Sequence, residues 1–112
     1  MNIELRGVNV QTSEAIGRFT ARQLTRTLGR FTRPVKRVIV RLQDDNGPRR
    51  GIDKTCRITI DLVRRGQVSV QARADDAYVA VSRAAERAGW AVGHRLTRAR
   101  DRRRRGVVRQ PA

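Results

Sequence analysis

Three consecutive segments of the chain alternate between apolar and polar side chains, and this pattern limits the possible folds most. The segments are "VKRVIVRLQ" at residues 35–43, "KTCRITIDLV" at residues 54–63 and "QVSVQARA" at residues 67–74. Alternation with a period of two is typical of β-strands that bury one face and expose the other. A longer loop that contains "DDNGPRRG" joins the first two segments and a tight turn at Arg65-Gly66 joins the last two, which predicts an antiparallel meander with one apolar face to cover.

The segments on either side of these strands contain the helices that can cover the apolar face. Residues 2–6 alternate and predict a short first strand, and Thr12 or Ser13 is suited to cap a helix that ends near Arg30. A second amphipathic segment runs from Asp76 to about Arg100, with apolar residues at three- and four-residue steps. The order βαβββα predicts a two-layer α+β domain, in which two helices pack on one face of a four-stranded mixed sheet. The first two strands should be parallel.

The apolar side of each predicted element defines a core built mainly from aliphatic side chains. We expect the following residues to be buried between the sheet and the helices: Ile3, Leu5, Ile16, Phe19, Val38, Val40, Cys56, Ile58, Ile60, Val70, Tyr78, Val81 and Val92. The folded domain is predicted to span residues 1–101. Residues 102–112 are predicted to be a basic, disordered tail, because they hold a run of like charges followed by Gly106 and Pro111.

The charge of the chain indicates the kind of partner. There are 26 Lys and Arg residues against 10 Asp and Glu, a formal net charge of +16. Residues 1–92 hold 18 basic and 9 acidic side chains, so the predicted domain is basic without its tail. This balance favours a polyanionic partner, either nucleic acid or an anionic membrane surface. A GC-rich genome, whose codons favour Arg, explains the excess of Arg over Lys better than selection for phosphate binding does.

The cations follow rows on the two helices. On the first helix Arg18, Arg22, Arg26 and Arg30 recur every four residues, and no acid is spaced to pair with Arg22, Arg26 or Arg30. Four such cations repel one another, a cost that a bound polyanion offsets. The corresponding side of the second helix carries Arg83, Arg87, Trp90, His94, Arg95, Arg98 and Arg102. We therefore predict an anion-binding surface formed by both helices.

Trp90 and the small residues beside it leave two alternatives open. Trp90 falls among cations instead of on the apolar side of the helix, so it either stacks on a base or lies flat on a neighbouring helix. Ala85, Gly89 and Gly93 form a row of small residues, and glycine inside a helix costs up to about 1 kcal/mol. A neighbouring backbone or side chain is therefore expected to pack closely against this row. We favour the first helix over a nucleic-acid backbone.

The residue types needed for catalysis are scarce. The chain has one His and one Cys, and Cys56 is on the apolar side of its strand, so a reactive Cys–His pair is not expected. No phosphate-binding glycine loop or nucleophile motif is present. We expect no enzyme activity, cofactor, metal or small-molecule substrate. The N-terminus lacks the pattern of a signal peptide and no apolar run approaches about 20 residues, so we expect a cytoplasmic protein.

Several segments together resemble one family. The opening "MNIELRGVNVQTSEAI", the strand "KRVIVRLQD" and the helix entry "DDAYVAVSRAAERA" are similar to the ribosome hibernation-promoting factors, also called ribosome-associated inhibitors or sigma-54 modulation proteins. The resemblance is to a divergent short form, without the dimerisation domain of the long form. Ser82 stands where the family usually has Asp. "ERAGWAVGHRLTR" replaces a "DKLxRQLxKxK"-like run, so Trp90 and the two glycines are unusual.

The resemblance implies binding to small-subunit rRNA near the decoding site and the tRNA–mRNA channel, with inhibition of translation. It implies rRNA contacts from basic residues of both helices, which match Arg22, Arg26, Arg87, His94, Arg95 and Arg98 here. We predict that the remaining anion-binding residues above join these rRNA contacts, and we expect a monomer off the ribosome. A general RNA- or DNA-binding module, such as a double-stranded-RNA-binding or nucleoid protein, is the main alternative. A double-stranded-RNA-binding domain begins with its helix, whereas this chain begins with a strand. A membrane partner is disfavoured because the sheet needs the apolar side of the helix.

Overall fold

The computed structural model describes residues 1–8, 10, 12–45 and 54–109, and the side chains of all of these except 99 and 101–109. The elements are β1 (Asn2–Val8), α1 (Glu14–Leu28), a short 3-10 turn (Gly29–Phe31), β2 (Val35–Asp44), β3 (Lys54–Leu62), β4 (Gly66–Ala74) and α2 (Ala77–Arg109). The predicted order βαβββα is confirmed. α1 begins where expected, because the Ser13 hydroxyl accepts a hydrogen bond from the backbone N–H of Ile16 at 3.3 Å.

The four strands form one mixed sheet in the order β1-β2-β3-β4. β1 pairs with β2 in parallel, and β2–β3 and β3–β4 pair antiparallel, as the alternation predicted. Val40 lies opposite Leu5 on one side and Ile58 on the other, so the apolar residues of neighbouring strands are in register. This register gives the sheet one continuous apolar face, and both helices pack on it. β1 and β4 are the edge strands.

The core follows the predicted faces except near its margins. Eight of the predicted core residues are fully buried: Ile16, Val38, Val40, Cys56, Ile58, Ile60, Val81 and Val92. Ile3, Leu5, Phe19 and Val70 are only partly buried. The prediction for Tyr78 is wrong, because its side chain is 41% exposed. Tyr78 lies in the first turn of α2, at the end of the helix pair, where its ring contacts Phe19 edge-on with 5.0 Å between centroids.

α2 is longer than the sequence predicted. It continues as helix to Arg109, whereas we expected it to end near Arg100. Arg is a good helix former, and a single glycine such as Gly106 costs a helix only about 1 kcal/mol, far less than a proline. Charge alone therefore does not end a helix. The division between a domain of residues 1–101 and a tail of residues 102–112 stays a prediction.

Candidate nucleic-acid interface

α1 and α2 cross at very short range, where the row of small residues on α2 faces α1. A Cβ placed on Gly89 would lie 2.9 Å from the Thr27 carbonyl oxygen and 3.1 Å from the Thr27 Cβ. One placed on Gly93 would lie 3.3 Å from Cζ of Phe31. Ala85, which continues this row, is fully buried. The prediction that this row packs against the first helix is confirmed at Gly89, and Gly93 packs against the 3-10 turn that follows α1.

The row on α1 is exposed along its whole length. Arg18 and Arg22 have no partner among the described residues, whereas the guanidinium of Arg30 lies 4.7 Å from the centre of the Phe31 ring. The expectation that no acid pairs with this row is wrong for Arg26, which lies 3.6 Å from a carboxylate oxygen of Glu86 on α2. The sequence could not reveal this pair, because its two members come from different helices. Both side chains are more than half exposed, so the pair contributes little to stability.

Three arginines of α2 have a role that sequence reasoning missed. Arg83 donates to the carbonyl oxygen of Arg73 at 3.2 Å, and Arg87 donates to that of Gln71, both on the open edge of β4. Arg95 donates to the Arg65 carbonyl at 3.0 Å, in the turn before β4. Four helical residues rise about 6 Å, close to the roughly 6.7 Å of two strand residues. This match lets a row spaced by four cover every second residue of a neighbouring edge strand.

Through these hydrogen bonds the arginines of α2 also cover the edge of the sheet. An edge strand with free carbonyl groups can pair with another chain, and the guanidinium groups occupy those carbonyl groups. Arg83, Arg87 and Arg95 are nonetheless exposed, and each guanidinium has five N–H donors. Donors therefore remain for a second acceptor. Arg98 is exposed without a partner in the described part of the chain, and the side chain of Arg102 lies outside the described residues.

Trp90 occupies the solvent-facing side of α2 and does not lie on a neighbouring helix. It is 69% exposed, the most of any large apolar side chain in the described residues. Its ring stacks on that of His94, with 4.8 Å between centroids and 8° between planes. The two rings border an open groove of about 840 Å³ whose other sides include Arg30, Arg65 and Arg100. Neither Arg65 nor Arg100 was a predicted site residue; Arg65 reaches this groove through the tertiary fold, whereas Arg100 lies on α2 itself.

A second basic area lies on the outer, uncovered face of the sheet. Arg6, Arg41 and Arg57 are directly opposite one another on β1, β2 and β3. Glu4 is the nearest carboxylate, at 2.6 Å from Arg37 and 2.9 Å from Arg6. These hydrogen bonds, that of Arg37 first, lower the pKa of Glu4 below its ordinary value. The alternation of β2 and β3 placed these arginines on the polar face, but only the register shows that they are neighbours.

The described residues show little that could support chemistry. They contain no group of three or more His, Cys, Asp or Glu side chains placed to hold a metal ion. Cys56 is buried, and burial raises the pKa of its thiol to about 12, so the thiol is protonated at neutral pH. None of the helices in this part of the chain is long and apolar enough to cross a membrane.

The fold and its charge define the class of this protein, a small two-layer α+β domain with basic rows on a pair of helices. The chain belongs to the sigma 54 modulation protein / S30EA ribosomal protein family, whose model matches residues 3–104. The resemblance described above is thus confirmed, and the family is one of ribosome-associated factors, not of enzymes. A comparison with proteins of curated function found no match.

Solved structures have the same fold. The chain is similar to the N-terminal domain of Protein Y from Thermus thermophilus, with 27% identity and a TM-score of 0.66 over 80% of this chain and 92% of that one. It is also similar to a ribosomal subunit interface protein from Coxiella burnetii, with 18% identity and a TM-score of 0.72 over 86% of this chain and 99% of that one. The second likeness establishes the fold alone.

Proposed function

We propose that this protein binds the small ribosomal subunit through its rRNA, near the decoding site and the tRNA–mRNA channel, and inhibits translation during hibernation or stress. Family membership supports ribosome association. The observation that carries the proposal is the exposed double row of cations on α1 and α2. Only one carboxylate, that of Glu86, is paired with these rows among the described residues.

The two helices supply different kinds of contact. Arg18, Arg22 and Arg98 are exposed and have no partner in the described part of the chain, which suits phosphate groups that approach from outside. Arg26 can exchange its weak contact with Glu86 for a phosphate at little cost. Arg83, Arg87 and Arg95 are already oriented by the edge of β4, so less conformational entropy is lost when RNA binds. Arg30, Trp90 and His94 complete the proposed surface, and Arg102 stays a sequence-based member of it.

We further propose that the protein is cytoplasmic, as its ribosomal partner is, and that it is a monomer off the ribosome. It acts by occupying the RNA surface, so the proposal includes no cofactor and no small-molecule substrate. A general nucleic-acid module is the competing function. It would use the same cations but would show no preference for the small subunit over arbitrary duplexes.

Cosedimentation with purified small subunits tests the proposal. The test variant is Arg22→Glu with Arg98→Glu, since neither side chain has a structural partner in the described residues. The matched control is Arg41→Glu with Arg57→Glu, which changes the net charge equally but on the opposite face of the sheet. We expect the test variant to lose binding and the control to keep most of it. Both should keep the circular dichroism spectrum and melting temperature of a folded protein.

The salt dependence of binding provides a second measurement. Each lost phosphate contact lowers the slope of log affinity against log salt by about 0.7–0.9, so the test variant should lose about 1.4–1.8. The wild-type protein should also inhibit peptide synthesis in a translation extract, and the test variant should not. Equal weakening by both double variants, or equal binding of the wild type to small subunits and random duplexes, would favour the general module.

A further inference from the structure

Phosphate binding explains the arginines of α2 but not the two rings beside them. A large aromatic side chain stabilises a fold when it is buried, yet Trp90 is 69% exposed. We propose that Trp90 and His94 form a stacking platform for an unpaired RNA base, and that the surrounding arginines hold the phosphates on either side of that base. The inference deepens the proposed function, on which it rests in taking RNA as the partner.

The geometry of the two rings suits a base. They are nearly parallel, at 8°, and their centroids are 4.8 Å apart, so His94 covers one face of the indole. The exposure of Trp90 leaves the opposite face open to solvent. The four-residue spacing on a helix holds both rings on one side of α2 before any ligand arrives. Bases stack on such preformed aromatic surfaces irrespective of their identity, because every base has a π-face.

The charge around the platform favours a nucleotide over an apolar protein partner. Arg30 comes from the end of α1, Arg65 from the turn before β4 and Arg100 from α2, and all three line the same groove. Among the side chains that the structure describes, those that line the groove include no carboxylate. Gly93 adds no side chain to it, so the space of about 840 Å³ stays open. Three cations around a flat aromatic surface match a base with a phosphate on each side.

A comparison of binding to RNA with and without bases separates the contribution of stacking from that of charge. The full chain is titrated into a labelled short oligoadenylate and into a strand of equal length with abasic central positions, and binding is followed by fluorescence anisotropy. Trp90→Ala should weaken binding to oligoadenylate by about 5- to 150-fold. The same change should leave the abasic strand and the salt slope unaffected. Trp90→Phe should restore much of the affinity, because it keeps an aromatic face.

Arg30→Ala is the matched control for charge. It should weaken binding to both strands and lower the salt slope by about 0.7, as expected for one lost phosphate contact on a single strand. Trp90 is the only tryptophan of the chain, so its fluorescence reports contact directly. Oligoadenylate should quench it and the abasic strand should not.

Three outcomes would overturn the platform. The first is equal weakening of both strands by Trp90→Ala, which would make Trp90 a general support of the surface. The second is unchanged binding to oligoadenylate. The third is unchanged RNA binding together with a loss of self-association in sedimentation, which would assign the rings to contact with a second copy of the chain.

The same variants distinguish this inference from the proposed function. If wild type and Trp90→Ala bind small subunits and oligoadenylate equally well, the platform is wrong and the proposed function stands. If the wild type ignores small subunits but binds oligoadenylate through Trp90, the proposed function is wrong and the platform stands.

Discussion

Gly89→Ala tests the close crossing of α1 and α2, on which the shared basic surface depends. The new Cβ would lie 2.9 Å from the Thr27 carbonyl oxygen, a distance that real Cβ atoms do not show to a backbone atom. α1 must therefore move away from α2. Overpacking of this kind costs about 1–3 kcal/mol, whereas replacing glycine by alanine inside a helix gains up to about 1 kcal/mol. The expected net effect is a loss of about 1 kcal/mol.

Two other glycines supply matched controls for the same chemical change. A Cβ on Gly17 in α1 would have no atom within 4 Å, so Gly17→Ala should gain roughly 0.5–1 kcal/mol from helix propensity alone. A Cβ on Gly93 would meet only the Phe31 ring at 3.3 Å, and a ring can shift. Gly93→Ala should therefore be nearly neutral.

Thermal unfolding followed by circular dichroism measures all three variants. For a domain of this size about 1 kcal/mol corresponds to a change of roughly 4 °C in melting temperature. We expect Gly17→Ala to have the highest melting temperature and Gly89→Ala the lowest. Gly93→Ala should melt close to wild type. If Gly89→Ala stabilised the protein as much as Gly17→Ala does, the helices would not cross at Thr27 and the reasoning would be refuted.

Three further changes probe the sheet and its buried thiol. Glu4→Gln removes a carboxylate whose pKa is lowered by Arg37. The stability that Glu4 contributes is therefore present above its ordinary pKa of 4.5 and is lost as the pH falls through the lower pKa of the folded protein. The difference in melting temperature between wild type and variant should vanish in acid. Cys56, with a pKa of about 12, should react with a thiol reagent at neutral pH only when the protein unfolds, and fast reaction of the native protein would contradict its burial. Arg41→Gln should stabilise the fold by about 0.2–1 kcal/mol at low ionic strength by relieving repulsion from Arg57, and a gain that persists in high salt would point to another cause.

The sequence predicts this sheet well because alternation reports directly on burial. Val38, Val40, Ile58 and Ile60 are all buried as expected, since a strand that is covered on one face leaves no other place for them. The same reasoning overestimates burial at the margins. Residues such as Ile3 have the correct pattern but lie on an edge strand, where fewer neighbours cover them.

The candidate site is less predictable because its contacts join distant parts of the chain. Helical spacing predicted the arginine rows, and their exposure agrees with it. Nothing in the spacing indicates that Glu86 reaches Arg26, or that Arg65 lines the same groove as Trp90. These contacts depend on how α2 is placed against α1 and β4, which the periodicity of a single segment does not determine. The arginine rows can therefore be predicted from the sequence of one helix, whereas the groove beside Trp90 can be recognised only from the tertiary structure.

The position of α2 beside an edge strand also gives a physical reason for arginine at particular positions. The overall excess of Arg over Lys does not by itself indicate a function. Arg87, however, donates to a carbonyl of β4 and remains exposed, as does Arg83 one turn away. A planar guanidinium with five donors can hold a carbonyl and a phosphate at once in fixed directions, whereas a lysine ammonium, with three donors at one point, cannot span both in the same way. Under the proposed function, the side chains that occupy the carbonyl groups of the sheet edge are the same ones that would meet the phosphate backbone, so one set of arginines would serve both purposes.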